Sequence, residues 1–341
     1  MTPTLPVLVA VLHGAVPSGA PPDELDTLAQ AGEVAEILRG QGHAVAPFPV
    51  GLDLSRLHRL RALKPRLVFN LVEALEGDGR LLHLPASVLD GMGLPYTGSP
   101  SGALYATTDK PLAKRLMAGA GLPTSGTWEP GTAYGPGELF IVKSTHEDAS
   151  IGLGPDSVVR ASAVPALLEE RRHRFGGDWF GEAYVEGREF NLPLLEGADG
   201  EPELLPIGEM EFVGWPAGEP CIIGYAAKWD QASFAYNATP RTFVPKPGDG
   251  PLRARLAELA LAAWRLFGLA GYARIDFRVD HAGRPWLLEV NANPCLSADA
   301  GYVAAADEAG MTQADLVARI VAAALHRAPE VARPTPARAV S

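Results

Sequence analysis

Short apolar runs alternate with longer amphipathic stretches over the first hundred residues. "VLVAVLHG" (7–14) is a buried run ending in a Gly turn, and "DELDTLAQAGEVAEILRGQG" (23–42) repeats apolar positions at helical spacing before Gly40 and Gly42. "AVAPFPV" (44–50) and the β-branched, aromatic "RLVFNLVE" (66–73) predict two more strands. "LLHLPASVLDGMG" (81–93) predicts another helix, and "PYTG" (95–98) a strand entry. This β-α-β rhythm is that of an open parallel sheet, whose ligands collect at the carboxyl ends of the strands. His13, Asn70 and Glu73 stand at such ends.

From Asp109 the pattern changes. "DKPLAKRLMAGAGLP" (109–123) is a basic helix, "LFIVKSTHEDASIGLG" (139–154) a strand running into a loop of small and polar residues, and "AVPALLEERRHRF" (163–175) a helix with an exposed charged face. "WFGEAYVEGREFNLPLLEG" (179–197) reads as two strands about a turn at Gly187. Segregated strands and helices predict a smaller α+β module. Mostly antiparallel strands follow, then the long helix "PLRARLAELALAAWRLFG" (251–268), with Trp264 and Phe267 in its core stripe. "YARIDFRVD" (272–280) and "PWLLEVNAN" (285–293), joined through "DHAGR", read as a hairpin. "TQADLVARIVAAALHRA" (312–328) is a last helix, and the Pro-rich tail is expected to be disordered. The expected units are 1–105 (parallel α/β), 106–186 (central α+β), 187–328 (α+β with an antiparallel sheet) and the tail 329–341.

Composition narrows the chemistry. With 341 residues, 47% hydrophobic and 20% charged, the chain is globular. Its net charge of −11, without a basic block, argues against nucleic acid as a partner. No segment reaches the apolar length of a bilayer span, and the N-terminus lacks the basic start of a signal peptide. The two cysteines, Cys221 and Cys295, suit neither a disulfide framework nor a zinc site, and a cytoplasmic location is expected.

The hairpin carries the clearest chemical pattern. Glu289 and Asn291 are two apart and share a face; Asp276 can lie opposite them, with Arg274 on its own face. Two carboxylates and an amide are hard oxygen donors that suit Mg²⁺ completed by phosphate oxygens and water. Arg274 would meet a phosphate oxygen. Lys110, Lys143 and Lys228 come from separated segments, whereas Lys114 and Lys246 read as solvated surface charges. Lys143 ends a buried strand just before "STHEDASIG" (144–152), a loop with the small residues of a phosphate cover and expected to be mobile. Glu182, Tyr184, Val185 and Glu189 form an acidic–apolar–acidic set that can read a base and a ribose.

In this order the features resemble the ATP-grasp superfamily and, within it, the D-alanine–D-alanine ligase family. The resemblance runs from about residue 5 to 325 on "VFNLVEALEGDGRLLHLPASVLDGMGLPYTGS", "TDKPLAKRLMAGAGLP", "IVKSTHEDASIGL", "YVEGREFNLPLL", "YAAKW" and "RIDFRVD…LLEVNANP…EAGMTQADLVARI". It implies a three-domain ATP-grasp fold, ATP gripped between the second and third domains, and two Mg²⁺ ions (Mn²⁺ the alternative) on Asp276, Glu289 and Asn291. It also implies that Lys110 and Lys143 contact ATP phosphates, and that Glu182, Tyr184, Val185 and Glu189 hold adenine and ribose. Lys228 would lie near the γ-phosphate, and Arg274 would stabilise the transferring phosphoryl group. The implied reaction joins small-molecule carboxylate and amine substrates through an acyl phosphate, and family members are often homodimers.

The substrate positions depart from the family. Asp26 stands nearest its ammonium-binding Glu; Glu73 replaces a His; Ala149-Ser150 replaces a Ser pair of the phosphate loop; Trp229 replaces a Tyr. Cys295 replaces a Gly, and Ala300, beside Asp299, replaces the Ser that holds the acceptor's carboxylate. Cys295 reads as a small residue rather than a nucleophile, since no His follows to activate it. The expectation is kept chemistry with changed substrates, and an acidic acceptor pocket favouring cationic or carboxylate-masked amines. Two other readings are an ordinary D-alanine–D-alanine ligase and a non-catalytic ATP-binding regulator.

Overall fold

The structure, a computed structural model, describes residues 6–17, 19–147 and 149–328. The expected disordered tail lies outside them, as does Asp148 of the loop after Lys143. The N-terminal part comprises β1 (Leu8–Gly14), α1 (Pro22–Gly40), β2 (Ala44–Val50), α2 (Arg59–Leu63), β3 (Leu67–Asn70) and α3 (His83–Met92). Its strands are parallel, in the order β2-β1-β3. α4 (Ser101–Thr108) and α5 (Lys110–Gly119) follow. β4 (Leu139–Ser144), β5 (Val158–Arg160), α6 (Val164–Phe175) and β6 (Trp179–Ala183) make a small antiparallel unit with β4 in the middle.

The large sheet uses β7 (Gly187–Glu196), β8 (Pro202–Leu204) and β9 (Gly208–Met210). After α7 (Tyr225–Trp229) and α8 (Phe234–Asn237) come β10 (Arg241–Thr242), α9 (Gly250–Phe267), β11 (Tyr272–Asp280) and β12 (Pro285–Asn291). α10 (Gly301–Glu308) and α11 (Gln313–Arg327) complete the chain. The order is β10-β9-β7-β11-β12, with β8 beside β7. This is the mixed α/β and α+β architecture expected, a parallel sheet followed by two antiparallel ones. Among the described residues no helix is long and apolar enough to cross a membrane.

Packing does not follow the sequence segments. Ala113 and Met117 of α5 are buried with Phe190, Ile275, Phe277 and Leu287 of the large sheet, so the segment after residue 106 shares that sheet's core. Trp264 and Phe267 of α9 lie in the same core. Val9, Val11, Leu67 and Phe69 of the parallel sheet are covered by Val34 and Leu38 of α1, but also by Val317, Ile320 and Val321 of α11. α6 has the expected exposed charged face in Glu169, Glu170, Arg172, His173 and Arg174, while Arg171 is buried, its Nη2 2.6 Å from Asp156 Oδ2.

Two backbone features position the site. The first is a β-bulge in β12. Asp276 pairs with Glu289 while Phe277 pairs with Leu287, which leaves Leu288 as an extra residue. Strict alternation from the buried Leu287 would turn Glu289 into the core; the bulge restores Val290 to the core and gives Glu289 and Asn291 the opposite face. The second is Gly187, at the junction between the two antiparallel sheets, where φ is +146° and an added Cβ would lie 2.0 Å from Val279 O. Gly187→Ala should therefore cost roughly 2–3 kcal/mol or more. Urea unfolding monitors this, and an unchanged midpoint would contradict it.

Candidate active site

Arg274 and Asp276 on β11 oppose Asn291 and Glu289 on β12, and Asp276 also opposes Asn191 on β7. Their common face is polar, while Ile275 and Phe277 between them point into the core. Arg274 clasps Asp276 through two near-parallel hydrogen bonds, Nε to Oδ1 at 2.8 Å and Nη2 to Oδ2 at 2.7 Å. Asn191 Nδ2 donates to Asp276 Oδ1 at 2.8 Å. Arg274 Nη2 lies 3.9 Å from Glu289 Oε1. Burial alone would raise the Glu289 carboxyl, but Lys110, Lys228, Arg274 and Lys143 together hold it below the usual carboxylate range. Glu289 is the anionic centre of a ring of cations.

This face forms one wall of a cavity of about 940 Å³. Apart from His13 and Asn70, the residues singled out as candidates from the sequence line it, from Asp26 and Glu73 on the N-terminal side to Cys295, Asp299 and Ala300. What those side chains do there differs in places from the expectation. Glu182 is buried and its carboxylate is engaged by Lys143 on one oxygen and by Lys114 and Ser125 on the other. It therefore holds lysines in place rather than presenting a vacant acceptor. Lys114 is not solvated: it is 3% exposed and also donates to Thr124 Oγ1 and Ser125 Oγ, each at 2.9 Å. Lys246, half exposed, pairs with Glu209 at 2.8 Å.

Glu189 pairs with Arg278 at 2.6 Å, and Arg278 and Tyr184 both donate to Cys221 O. Tyr184 and Val185, with Met210, Ile222 and Leu288, give this end of the cavity an apolar lining. Lys110 Nζ donates to Glu147 O at 2.9 Å. The loop after Lys143 meets the segment around α7: Ser150 Oγ donates to Ile223 O at 3.1 Å, and Trp229 Nε1 to Ala149 O at 3.0 Å. Ser150 has φ +59°, the left-handed region that a non-glycine residue rarely adopts. Lys228 lines the cavity from α7.

At the N-terminal side, Asp26 Oδ1 accepts from Ser297 Oγ at 3.0 Å and Oδ2 faces Cys295 Sγ at 3.2 Å. Gln30 Nε2 donates to Glu73 Oε1 at 2.9 Å. Burial, with Glu73 and Asp26 adding to it, pushes the Cys295 thiol well up, which keeps it protonated and inert. Asp299 is exposed, so it adds little charge to the cavity. His13 is turned away, buried with Nδ1 2.8 Å from Gly14 O, and Asn70 caps the backbone of Val72. His146 does line the cavity.

Sequence reasoning missed Lys114, Asn191, Arg241, Arg278 and Ser297. Asn191 and Arg278 were open to discovery, because each lies at the same side-chain period as a residue already chosen.

A family model described as the D-ala D-ala ligase C-terminus matches residues 139–322. An uncharacterized protein of Sinorhizobium fredii, y4sG, is 33% identical over 265 residues, 76% of this chain and 75% of that protein. The D-alanine–D-alanine ligase of Anaeromyxobacter dehalogenans is 31% identical over 323 residues, 92% of this chain and 95% of the relative. In fold, a crystal structure of the Bacillus anthracis D-alanine–D-alanine ligase superposes with a TM-score of 0.72 at 20% identity, covering 94% and 97% of the two chains. A second structure of that enzyme, complexed with ATP, gives 0.71 at 19%, covering 94% of this chain and 98% of the other. With its fold, its polar hairpin and its sequence in agreement, the chain belongs to the D-alanine–D-alanine ligase family of ATP-grasp proteins.

Proposed function

We propose that this protein is an ATP-dependent, ADP-forming carboxylate–amine ligase that joins small amino-acid or peptide substrates. The observation that carries the reading is Glu289, Asp276 and Asn291 on one strand-pair face, opposite Lys110, Lys143 and Lys228 in a single cavity. A nucleotide triphosphate needs this charge pattern: lysines for phosphate oxygens, and hard oxygens for the divalent ion that accompanies them.

The donor set fits Mg²⁺. All its atoms are carboxylate or amide oxygens, and no group of three His, Cys, Asp or Glu among the described residues could hold a metal by itself. Asp276, Glu289 and Asn291 would hold the ion, with phosphate oxygens completing its shell. When bound, Mg²⁺ would neutralise phosphate charge during transfer.

The protein's own part is positioning and electrostatics. Glu182 holds Lys143 at the mouth of β4, where its ammonium can meet a phosphate. Arg274, aimed by Asp276, supplies a fixed positive charge to the transferring group. Tyr184, Val185 and Ile222 offer an apolar slot for the base. A donor carboxylate would take the γ-phosphoryl group and release ADP; an amine would then attack the acyl carbon and displace phosphate. Asp26 and Glu73, two carboxylates near Cys295, suit a substrate ammonium.

The relatives' names make D-alanine the reference substrate, whereas Glu73, Cys295 and Ala300 favour a changed pair. The test is a matrix of carboxylate donors and amine acceptors with ATP and Mg²⁺, read by ADP release and product mass. The expected result is ADP release coupled to one amide product. ATP binding without ADP release for any pair would instead favour a regulatory nucleotide-binding protein.

A further inference from the structure

Arg241 opens the edge strand β10 and reaches the cavity wall formed by the start of α10. The slot it occupies is built for it. A Cβ on Gly301 would come within 2.7 Å of Arg241 Nη2 and 2.9 Å of Cζ, so the guanidinium lies directly over that glycine. A Cβ on Gly208 of the adjacent β9 would meet Arg241 Cδ at 3.2 Å. Two glycines, one under the head and one under the stem, thus leave the space that a long flat side chain needs.

The guanidinium is buried in part and unmatched. Its Nε is fully buried and has no hydrogen-bond acceptor among the described residues. The carboxylates near it do not serve: Asp276 is clasped by Arg274 and Asn191, and Asp299 is exposed. Arg274 adds a second positive charge nearby. Asp276 and Asp299 attract it without hydrogen-bonding to it, and a part-buried guanidinium, which stays protonated, is costly without a hydrogen-bonded anion. A planar donor fork matches a carboxylate.

Arg241 stands between the Arg274–Asp276 pair and the start of α10. It shares its wall with Asp299, Ala300 and Gly301, the segment where the resemblance puts the acceptor, and where the carboxylate-binding Ser has become Ala300. We infer that Arg241 is the carboxylate receptor of the acceptor pocket, and that the amine substrate is an amino acid or peptide with a free carboxylate. This rests on the ligase reading and names the acceptor's class. It replaces the expectation of cationic or masked acceptors, which counted Asp299 as a wall charge and did not include Arg241.

The experiment is equilibrium binding to the full chain with Mg²⁺ and a non-hydrolysable ATP analogue. The probes are D-alanine and the proteinogenic L-amino acids, each compared with its primary amide. Wild type should bind at least one free acid tighter than its amide by roughly 10- to 100-fold, the range of a charge-assisted hydrogen-bonded pair. Arg241→Gln should abolish that preference and leave the analogue's affinity unchanged. Arg241→Lys should keep part of it. Gly301→Ala, which pushes a methyl into the guanidinium, should reproduce the loss with residue 241 intact. Equal binding of acids and amides, no binding of any free acid, or a preference that survives Arg241→Gln would overturn the assignment. So would loss of analogue affinity in Arg241→Gln, which would make this a phosphate contact. ADP release is scored separately: an acid-selective pocket without turnover sinks the ligase reading and leaves Arg241 in its role.

Discussion

Replacing Glu289 by Gln should leave a folded protein that has lost about 10²- to 10³-fold of its turnover, the scale of a removed electrostatic contact at a reacting centre. The substitution keeps size and shape and deletes one negative charge. That charge draws on Lys110, Lys228, Arg274 and Lys143 together. Without it the cations repel one another across the cavity, and the proposed metal set falls to one carboxylate and one amide. Steady-state ADP release with saturating Mg²⁺, beside thermal unfolding, checks both halves. Wild-type ADP release in a normally folded variant would remove Glu289 from the mechanism.

Glu182→Gln should instead be felt first in stability, at about 3–5 kcal/mol, the usual cost of leaving buried charge unpaired. Glu182 is 1% exposed and bridges Lys114, at 3% exposure, and Lys143. Removing its charge leaves two close ammonium groups with one neutral amide between them. Lys114→Met in the same chain removes one of the stranded charges and should recover part of the loss, because deleting a buried pair costs less than breaking it. Burial works against the Glu182 carboxylate, yet Lys114 and Lys143 hold it down to about 2. A depressed carboxylate stabilises the fold fully above its unfolded value of about 4.5, and that contribution fades as the pH falls towards 2. Wild type should therefore lose stability over this acid window by more than Glu182→Gln does. Chemical denaturation at pH 6 and pH 3 measures the difference; parallel losses would refute the pairing.

The sequence made the hairpin legible because two simple facts act there. Side chains two apart share a face, so Glu289 and Asn291 had to be neighbours, and an apolar strand does not carry carboxylates without a partner for them. The bulge that allows this left no mark, since Leu288 looks like any strand residue. Lys114 was misread for a related reason. Its helix is basic and looks solvated, while the carboxylate that buries it, Glu182, comes from the small antiparallel sheet. Arg241 lies in "YNATPRTFVPKPG", which has no periodicity to assign it a face. His13 was placed by its position at a strand end, yet the strand remains buried through that end. Local period is visible in one chain; the partner brought by tertiary folding is not.

The helix α11 that seals the parallel sheet has a meaning for the order in which the chain is born. β1 and β3 leave the ribosome early, but Val9, Val11, Leu67 and Phe69 receive Val317, Ile320 and Val321 only when nearly everything between has been made. These strands are therefore made long before the helix that closes them. A nascent chain must carry that apolar face open through most of its synthesis, in the care of chaperones or of its own neighbour α1. A ribosome that stops before α11 releases a protein with much of the central cavity drawn but its parallel sheet still unroofed, the kind of product that quality-control proteases recognise.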